Sequence, residues 1–251
     1  SQDYRVRLAP VTPTRGLILD RDGRILAENR PAFRLTVIPE QVGDMDTLLE
    51  ALNGMIDLTP EEIDAFEEAR RRARGFQEIP LKLQLSDADV ARLAVNRHRF
   101  RGVEVRPHLT RHYPYGKIGS HAIGYVGRIS ESELRDRDRR RYRGTSMIGK
   151  TGVERAYENR LRGEMGLERI ETNALGRPLS IIDREPPIPG DDIRLTLEIE
   201  LQGVAEAALG EHRGAIVAMD PRTGGILALA SQPGFDPNAI SRGLDRQAFR
   251  S

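Results

Sequence analysis

Ala215 to Asn238 reads Ala-Ile-Val-Ala-Met-Asp-Pro-Arg-Thr-Gly-Gly-Ile-Leu-Ala-Leu-Ala-Ser-Gln-Pro-Gly-Phe-Asp-Pro-Asn. Ile216 to Met219 and Ile226 to Ala230 are short and apolar at successive positions, the pattern of strands covered on both faces. Pro221, Gly224 and Gly225 supply the turn between them. The stretch is predicted to be a β-hairpin that needs cover on both sides, and the chain closes soon after it, at Ser251.

The same logic recurs near the start. Thr14 to Ala27 runs apolar residues, an Asp20-Arg21-Asp22-Gly23 turn and apolar residues again, which predicts a second hairpin. Phe33 to Ile38 alternates as a further strand, so residues 14–39 form a small β unit. Residues 44–100 change to helical spacing. Met45, Leu48, Leu49, Leu52 and Ile56 share one face, and Ile63, Phe66, Ala69 and Ala73 share another. Thr59-Pro60-Glu61-Glu62 and Ser86-Asp87-Ala88-Asp89 carry N-cap signals. Gly102 to Val105 and Arg111 to Tyr115 return to extended structure. Ile193 to Leu197 reads as a strand, and Leu201 to Leu209 as a helix leading to Gly214.

Composition excludes several classes of protein. The chain holds 39 basic and 38 acidic residues, a balance that gives no general electrostatic reason to bind nucleic acid. Its lysines are Lys82, Lys117 and Lys150, so nearly all positive charge is arginine. Cysteine is absent, which removes disulfides and thiol chemistry and is compatible with an oxidising compartment. No run approaches the about 20 apolar residues of a membrane span, and Ser1 to Tyr4 is no signal sequence.

Several motifs invite chemistry that their context refuses. Gly144 to Thr151 spells the phosphate-loop pattern Gly-x-x-x-x-Gly-Lys-Thr, which needs a buried strand before it and a helix N-terminus after it. The preceding residues 135–143 are six arginines, two aspartates and a tyrosine. That run is interrupted by Asp136 and Asp138 and has no aromatic ladder, so it reads as a solvated surface rather than a nucleic-acid patch. Lys150, Glu154 and Glu158 fall on one face of a helix and are expected to form surface ion pairs. His98, His108, His112, His121 and His212 lack zinc-site spacing, and Pro107 and Pro114 bracket the nearest pair. Asp20 with Asp22, and Asp191 with Asp192, sit in turn-like sequence suited to backbone hydrogen bonding. No catalytic, metal or cofactor residue is expected.

Five segments carry a family resemblance. They are Arg15-Gly16 with Asp20-Arg21-x-Gly23, Gly102-Val-Glu-Val105, Arg111-His-Tyr-Pro-Tyr-Gly116, His121-Ala-Ile-Gly-Tyr-Val126, and Gly149-Lys-Thr-Gly-Val-Glu154-Arg-Ala-Tyr157-Glu158. In this order they resemble the penicillin-binding protein 2 family, monofunctional class B enzymes of cell elongation, over about residues 5–250. The 215–231 hairpin resembles the opening of the family's transpeptidase domain.

That resemblance implies an α+β fold: an elongated β-rich pedestal with an inserted small helical head, then the truncated start of a transpeptidase domain. The expected divisions are 1–43 and 102–190 for the pedestal, 44–101 for the head and 191–251 for the transpeptidase start. It further implies a parent enzyme that cross-links peptidoglycan through the serine of a Ser-x-x-Lys motif. Ser231, Ser241 and Ser251 follow the hairpin, none with lysine three residues on, so this chain is expected to be the non-catalytic front of such an enzyme. Lys150-Thr151-Gly152 spells the family's third catalytic motif but precedes the hairpin, where a structural role is expected. Implied partners are a glycan polymerase of the shape, elongation, division and sporulation (SEDS) family and the elongation scaffold protein MreC. The implied place is the periplasmic side of the bacterial inner membrane, reached through an anchor outside this sequence. The alternatives are a self-standing periplasmic interaction module and a phosphate-loop nucleotide-binding protein.

Overall fold

A computed structural model describes residues 5–129, 147–173 and 178–241, with Glu133 and Tyr142. The chain divides into two units, Ser1–Arg30 with Arg111–Ser251, and Pro31–Thr110. In order, the elements are β1 (Arg5–Val11), β2 (Ile18–Leu19), β3 (Ile25–Val37), α1 (Met45–Asn53), α2 (Pro60–Arg72), β4 (Ile79–Leu85), α3 (Asp87–Val95) and β5 (Val103–His112). There follow α4 (Ser120–Ile123), β6 (Val126–Arg128), β7 (Met147–Gly149), α5 (Gly152–Ala156), α6 (Glu158–Leu161), β8 (Gly166–Thr172), β9 (Pro178–Glu185) and β10 (Ile193–Arg194). The last are α7 (Ile199–Leu209), β11 (Gly214–Met219), β12 (Ile226–Gln232) and α8 (Pro237–Ser241). The fold is α+β.

In the 31–110 unit, the second half of β3 pairs antiparallel with β4, with Phe33 opposite Leu85 and Val37 opposite Ile79. Leu35, Val37, Ile79 and Leu81 form the sheet side of a core whose helical side is Leu52, Phe66 and Leu93. The caps are those expected of the sequence. Glu62 N–H donates to Thr59 Oγ1 at 3.2 Å while Thr59 N–H donates to the Glu62 carboxylate at 2.9 Å. Ser86 and Asp89 make the same reciprocal pair at α3. Strand β4 is absent from the purely helical reading of residues 44–100. Its period-two signal, Ile79, Leu81, Leu83 and Leu85, lies between two capped helices and carries Pro80, which sits at the edge of the pairing with β3.

In the other unit, β2 and the first half of β3 form the expected hairpin, Ile18 opposite Ala27. Strand β10 adds to it in parallel, with Ile193 opposite Ile18. Ile18, Leu26, Tyr113, Ile123, Leu161 and Ile199 close a buried cluster around it. A separate antiparallel sheet has the order β1–β8–β9.

The hairpin β11–β12 pairs Ile216 with Ala230 and Val217 with Leu229. Only one of its faces is covered. Ile216, Ala218, Ala228 and Ala230 pack with Leu201, Ala205 and Leu209 of α7, whereas Val217, Met219 and Leu229 remain 56%, 55% and 42% exposed. The double-sided cover implied by its unbroken apolar run is therefore half supplied by the described residues. Along the outer edge of β12, Thr196 Oγ1 donates to Ile226 O at 2.7 Å and Glu198 N–H to Leu227 O at 2.9 Å. Gln202 does the same work with its side chain, donating to Leu229 O at 2.9 Å and accepting from Leu229 N–H at 2.7 Å.

Phe66 is fully buried at the centre of the 31–110 core. Phe66→Ala should lower stability by about 3–5 kcal/mol, through lost transfer free energy and the cavity left behind. Urea unfolding followed by circular dichroism measures it, and a loss below about 1 kcal/mol would place the core elsewhere.

Candidate functional site

Among the described residues, the densest polar chemistry lies in the unit Ser1–Arg30 with Arg111–Ser251. Glu154, on α5, is fully buried and sits between two arginines. Arg15, in the loop before β2, donates through Nε to Glu154 Oε2 at 2.7 Å and through Nη2 to Glu154 O at 3.0 Å. Arg111, at the end of β5, donates through Nε to Glu154 Oε1 at 2.7 Å. Glu158, on α6, takes Arg15 Nη2 at 2.7 Å and the Gly149 N–H at 3.0 Å. Asn29 of β3 ties the two arginines together, donating to Arg15 O at 2.6 Å and accepting from Arg111 Nη1 at 3.3 Å. Arg111 Nη1 also reaches Gly16 O at 2.8 Å. Tyr113 completes the set: its hydroxyl lies 3.2 Å from Glu154 Oε1 and accepts from Val126 N–H at 3.0 Å.

Electrostatics follow from this geometry. Burial opposes ionisation of Glu154, but the guanidiniums of Arg111 and Arg15 outweigh it and hold the carboxyl below its usual range. Arg15 is held above its ordinary value, burial being overcome by Glu154 and Glu158. Burial, then the neighbouring Glu154 carboxylate, pushes the Tyr113 hydroxyl well above its ordinary value. The cluster is therefore two cations, two anions and a neutral phenol. Each charge faces an opposite one, with Arg111 Nη2 and Glu158 Oε1 the atoms left without a hydrogen bond, and the arrangement is a clasp rather than a reaction centre.

The expected surface pairs of Lys150, Glu154 and Glu158 are corrected here. The helix breaks at Tyr157, so α5 and α6 are separate and the regular i, i+4 face is not built. Both glutamates turn inward, and Lys150 pairs with Glu133 at 2.6 Å. Gly149 of the apparent phosphate loop, and Gly152 just after it, have a different cause. A Cβ at Gly149 would lie 2.1 Å from Glu154 O, and Gly152 adopts φ +56° with Ala122 O at 2.5 Å from where its Cβ would stand. These glycines let backbone close on backbone, bringing α5 against β7. Strand β7 pairs antiparallel with β6, unlike the strand that precedes a phosphate loop. Gly144 to Ser146 and most of the 135–143 run lie outside the described residues.

The other candidates are placed in structural work. Asp20 accepts the N–H groups of Asp22 and Arg24 at 2.9 and 2.8 Å and of Ile199 at 3.4 Å. Burial raises its pKa, and these donors more than reverse that shift. Asp192 accepts Leu17 N–H at 2.7 Å, and Asp191 pairs with Arg160 at 3.2 Å. His121 bonds Pro233 O at 2.8 Å and meets Phe235 edge-on. Nearby, Asn238 donates to Tyr113 O and accepts from Tyr113 N–H, both at 2.9 Å. Neither the Asn238 contact nor the Arg15–Glu154–Arg111 link is visible in local spacing. The available signal is charged residues embedded among glycines, as in Arg15-Gly16 and Gly152-Val153-Glu154.

The chain belongs to the penicillin-binding protein family, its residues 10–195 matching the Penicillin-binding Protein dimerisation domain. Within that family its likeness is to penicillin-binding protein 2. It is 42% identical to the peptidoglycan D,D-transpeptidase MrdA of Escherichia coli K12 over 99% of this chain and 40% of that protein. Against MrdA of Acinetobacter baumannii the identity is 41%, over 100% of this chain and 37% of the relative. The chain thus spans about two fifths of the length of these relatives. Among solved structures it resembles penicillin-binding protein 2 of Helicobacter pylori in complex with MreC, with a TM-score of 0.73 and 27% identity over 94% of this chain and 44% of that one. It also resembles the Pseudomonas aeruginosa penicillin-binding protein 2 solved with WCK 5153, with a TM-score of 0.55 and 32% identity over 94% of this chain and 32% of that one.

Glu154→Gln should destabilise the protein by about 3–5 kcal/mol, because it leaves the buried Arg111 guanidinium without a carboxylate and Arg15 with Glu158 alone. The folded pKa of Glu154 is depressed, so its contribution is complete above the unfolded glutamate value of about 4.3 and is lost as pH falls through the lower folded value. Urea midpoints of wild type and variant should therefore differ widely at neutral pH and converge in acid. A gap independent of pH would remove Glu154 ionisation as the cause.

Proposed function

We propose that this chain is the non-catalytic pedestal of a peptidoglycan D,D-transpeptidase, positioning the parent's catalytic domain and offering docking surface to partners. The observation that carries this reading is the fate of the family-like motifs. Arg15, Arg111, Tyr113, Glu154 and Glu158 spend their chemistry on one another, 2.7 to 3.2 Å apart or through Asn29, and none is left facing a substrate. The sequence contains no Ser-x-x-Lys motif, so no serine here has the lysine that the family uses to activate it. The hairpin β11–β12, with its bare Val217, Met219 and Leu229 face, suits the start of a larger sheet.

In this reading the chain stands on the periplasmic side of the bacterial inner membrane, and the parent contributes to cell elongation and rod shape. An MreC-type scaffold is the favoured partner, supported by the Helicobacter pylori neighbour solved with MreC. A SEDS-family glycan polymerase is a second partner of the same reading. Nucleotide binding is disfavoured because Lys150 is engaged by Glu133.

The 251-residue chain should gain no mass on incubation with a labelled penicillin, while the parent transpeptidase is acylated in parallel. The same chain should bind purified MreC of its own organism in surface plasmon resonance. A stoichiometric serine adduct on the chain would overturn the non-catalytic assignment, and absent MreC binding would remove the docking role.

A further inference from the structure

In the 31–110 unit, α3 ends at Val95 and a 3-10 turn over Arg97–Arg99 leads into β5. A groove of about 360 Å³ opens beside that turn, floored by Val90, Leu93, Ala94, Phe100 and Val103. It adjoins a shallower hollow that shares Ala94, Arg97, Phe100 and Val103 and extends to His98 and Arg101. Arg97, His98 and Arg101 line the rim, on either side of the buried Phe100. Arg97 is 76% exposed and forms an ion pair with Glu104 at 3.6 Å. Arg99 rests over the Phe100 ring at 5.8 Å and bonds only the neutral Asn96. Arg101 makes no ion pair among the described residues. Arg106, by contrast, is held by Glu78. Glu104 lines both hollows and answers Arg97, and Arg101 adds a cation with no ion pair among the described residues, which leaves a net positive edge beside an apolar floor.

We propose that this groove docks an acidic amphipathic segment of a partner protein. Apolar side chains of the segment enter over Ala94 and Phe100, and its carboxylates meet Arg97 and Arg101. The inference deepens the docking part of the function proposed above and rests on it. Charge complementarity selects the occupant. The cations steer an anionic partner and fix its register, while the floor supplies the apolar burial that solvated ion pairs alone lack. A concave floor fits side chains better than the flat face of a lipid surface. The chain's near-zero net charge gives no wider field for a nucleic acid.

The probe is a short fluorescent peptide alternating Glu with Leu and Phe, titrated into the 251-residue chain by anisotropy. A Lys-for-Glu version, a Ser-for-Leu/Phe version, phosphatidylglycerol vesicles and polyuridylate are run beside it. Saturable binding of the acidic peptide is expected, weakening with salt and lost when either its charge or its apolar residues are replaced. Arg97→Glu with Arg101→Glu should weaken it about tenfold or more, without moving the thermal midpoint, and should transfer preference to the Lys peptide. Ala94→Glu, at an exposed helical position, should weaken it independently by filling the groove with like charge. The proposal is overturned if the acidic peptide fails to saturate, if the variants bind it as wild type does, or if only vesicles or polyuridylate bind. Those outcomes leave the pedestal reading standing, because penicillin acylation and MreC binding test it separately.

Discussion

Glu154 is a carboxylate removed from water, and the unit that contains it is arranged to keep that charge answered. Leaving such a group unpaired costs several kcal/mol, so each segment that supplies a partner must arrive in register. Arg15 lies 139 residues away in sequence and Arg111 lies 43 away. Asn29 adds β3, Tyr113 and Val126 add the approach to β6, and Gly149 adds β7 through Glu158. Misplacing one of these segments strands a guanidinium or a carboxylate inside the unit. The cluster thus sets how the pieces fit, while the apolar cluster of Ile18, Leu26 and Leu161 supplies the driving force for burial.

Local structure was legible where it depends on neighbours in sequence. The capping boxes at Thr59 and Ser86, the Asp20 to Gly23 turn and the hairpin at Asp220 to Gly225 each follow from residues a few positions apart. Strand β4 was also written in the chain, in Ile79, Leu81, Leu83 and Leu85, but helical signals on both sides masked it. The clasp was not legible. Lys150, Glu154 and Glu158 have ideal spacing for an exposed helical face, and spacing is silent about a helix that breaks at Tyr157. Resemblance marked these residues as belonging together without saying why; the distances supply the reason.

Two side-chain amides stand in for backbone. Gln202 offers Leu229 the donor and acceptor that a neighbouring strand would have offered, and Asn238 does so for Tyr113. An amide side chain can do this because it carries the same two groups as a peptide bond. Gln202 also donates to Glu206 Oε1, which accepts Gly119 N–H, both at 2.8 Å, so α7 joins β12 to the loop before α4. Through Asn238, the segment that follows β12 grips the residue whose hydroxyl touches Glu154. The hairpin and the buried cluster are therefore mechanically continuous, although their apolar side chains form separate clusters.

The clasp closes on itself away from water, and this separates it from the ion pairs at the surface. Arg72 with Glu68 and Arg24 with Glu200 lie in water, where dissolved ions screen them over about 8 Å at physiological ionic strength. Mobile ions cannot enter the space between Arg111 and Glu154, whose side chains are 2% and 0% accessible. A change from dilute to briny surroundings thus reaches the surface pairs and the rim at Arg97 to Arg101 while leaving the interior fastening untouched. Ionic strength can then tune what the surface attracts without loosening the body that carries it.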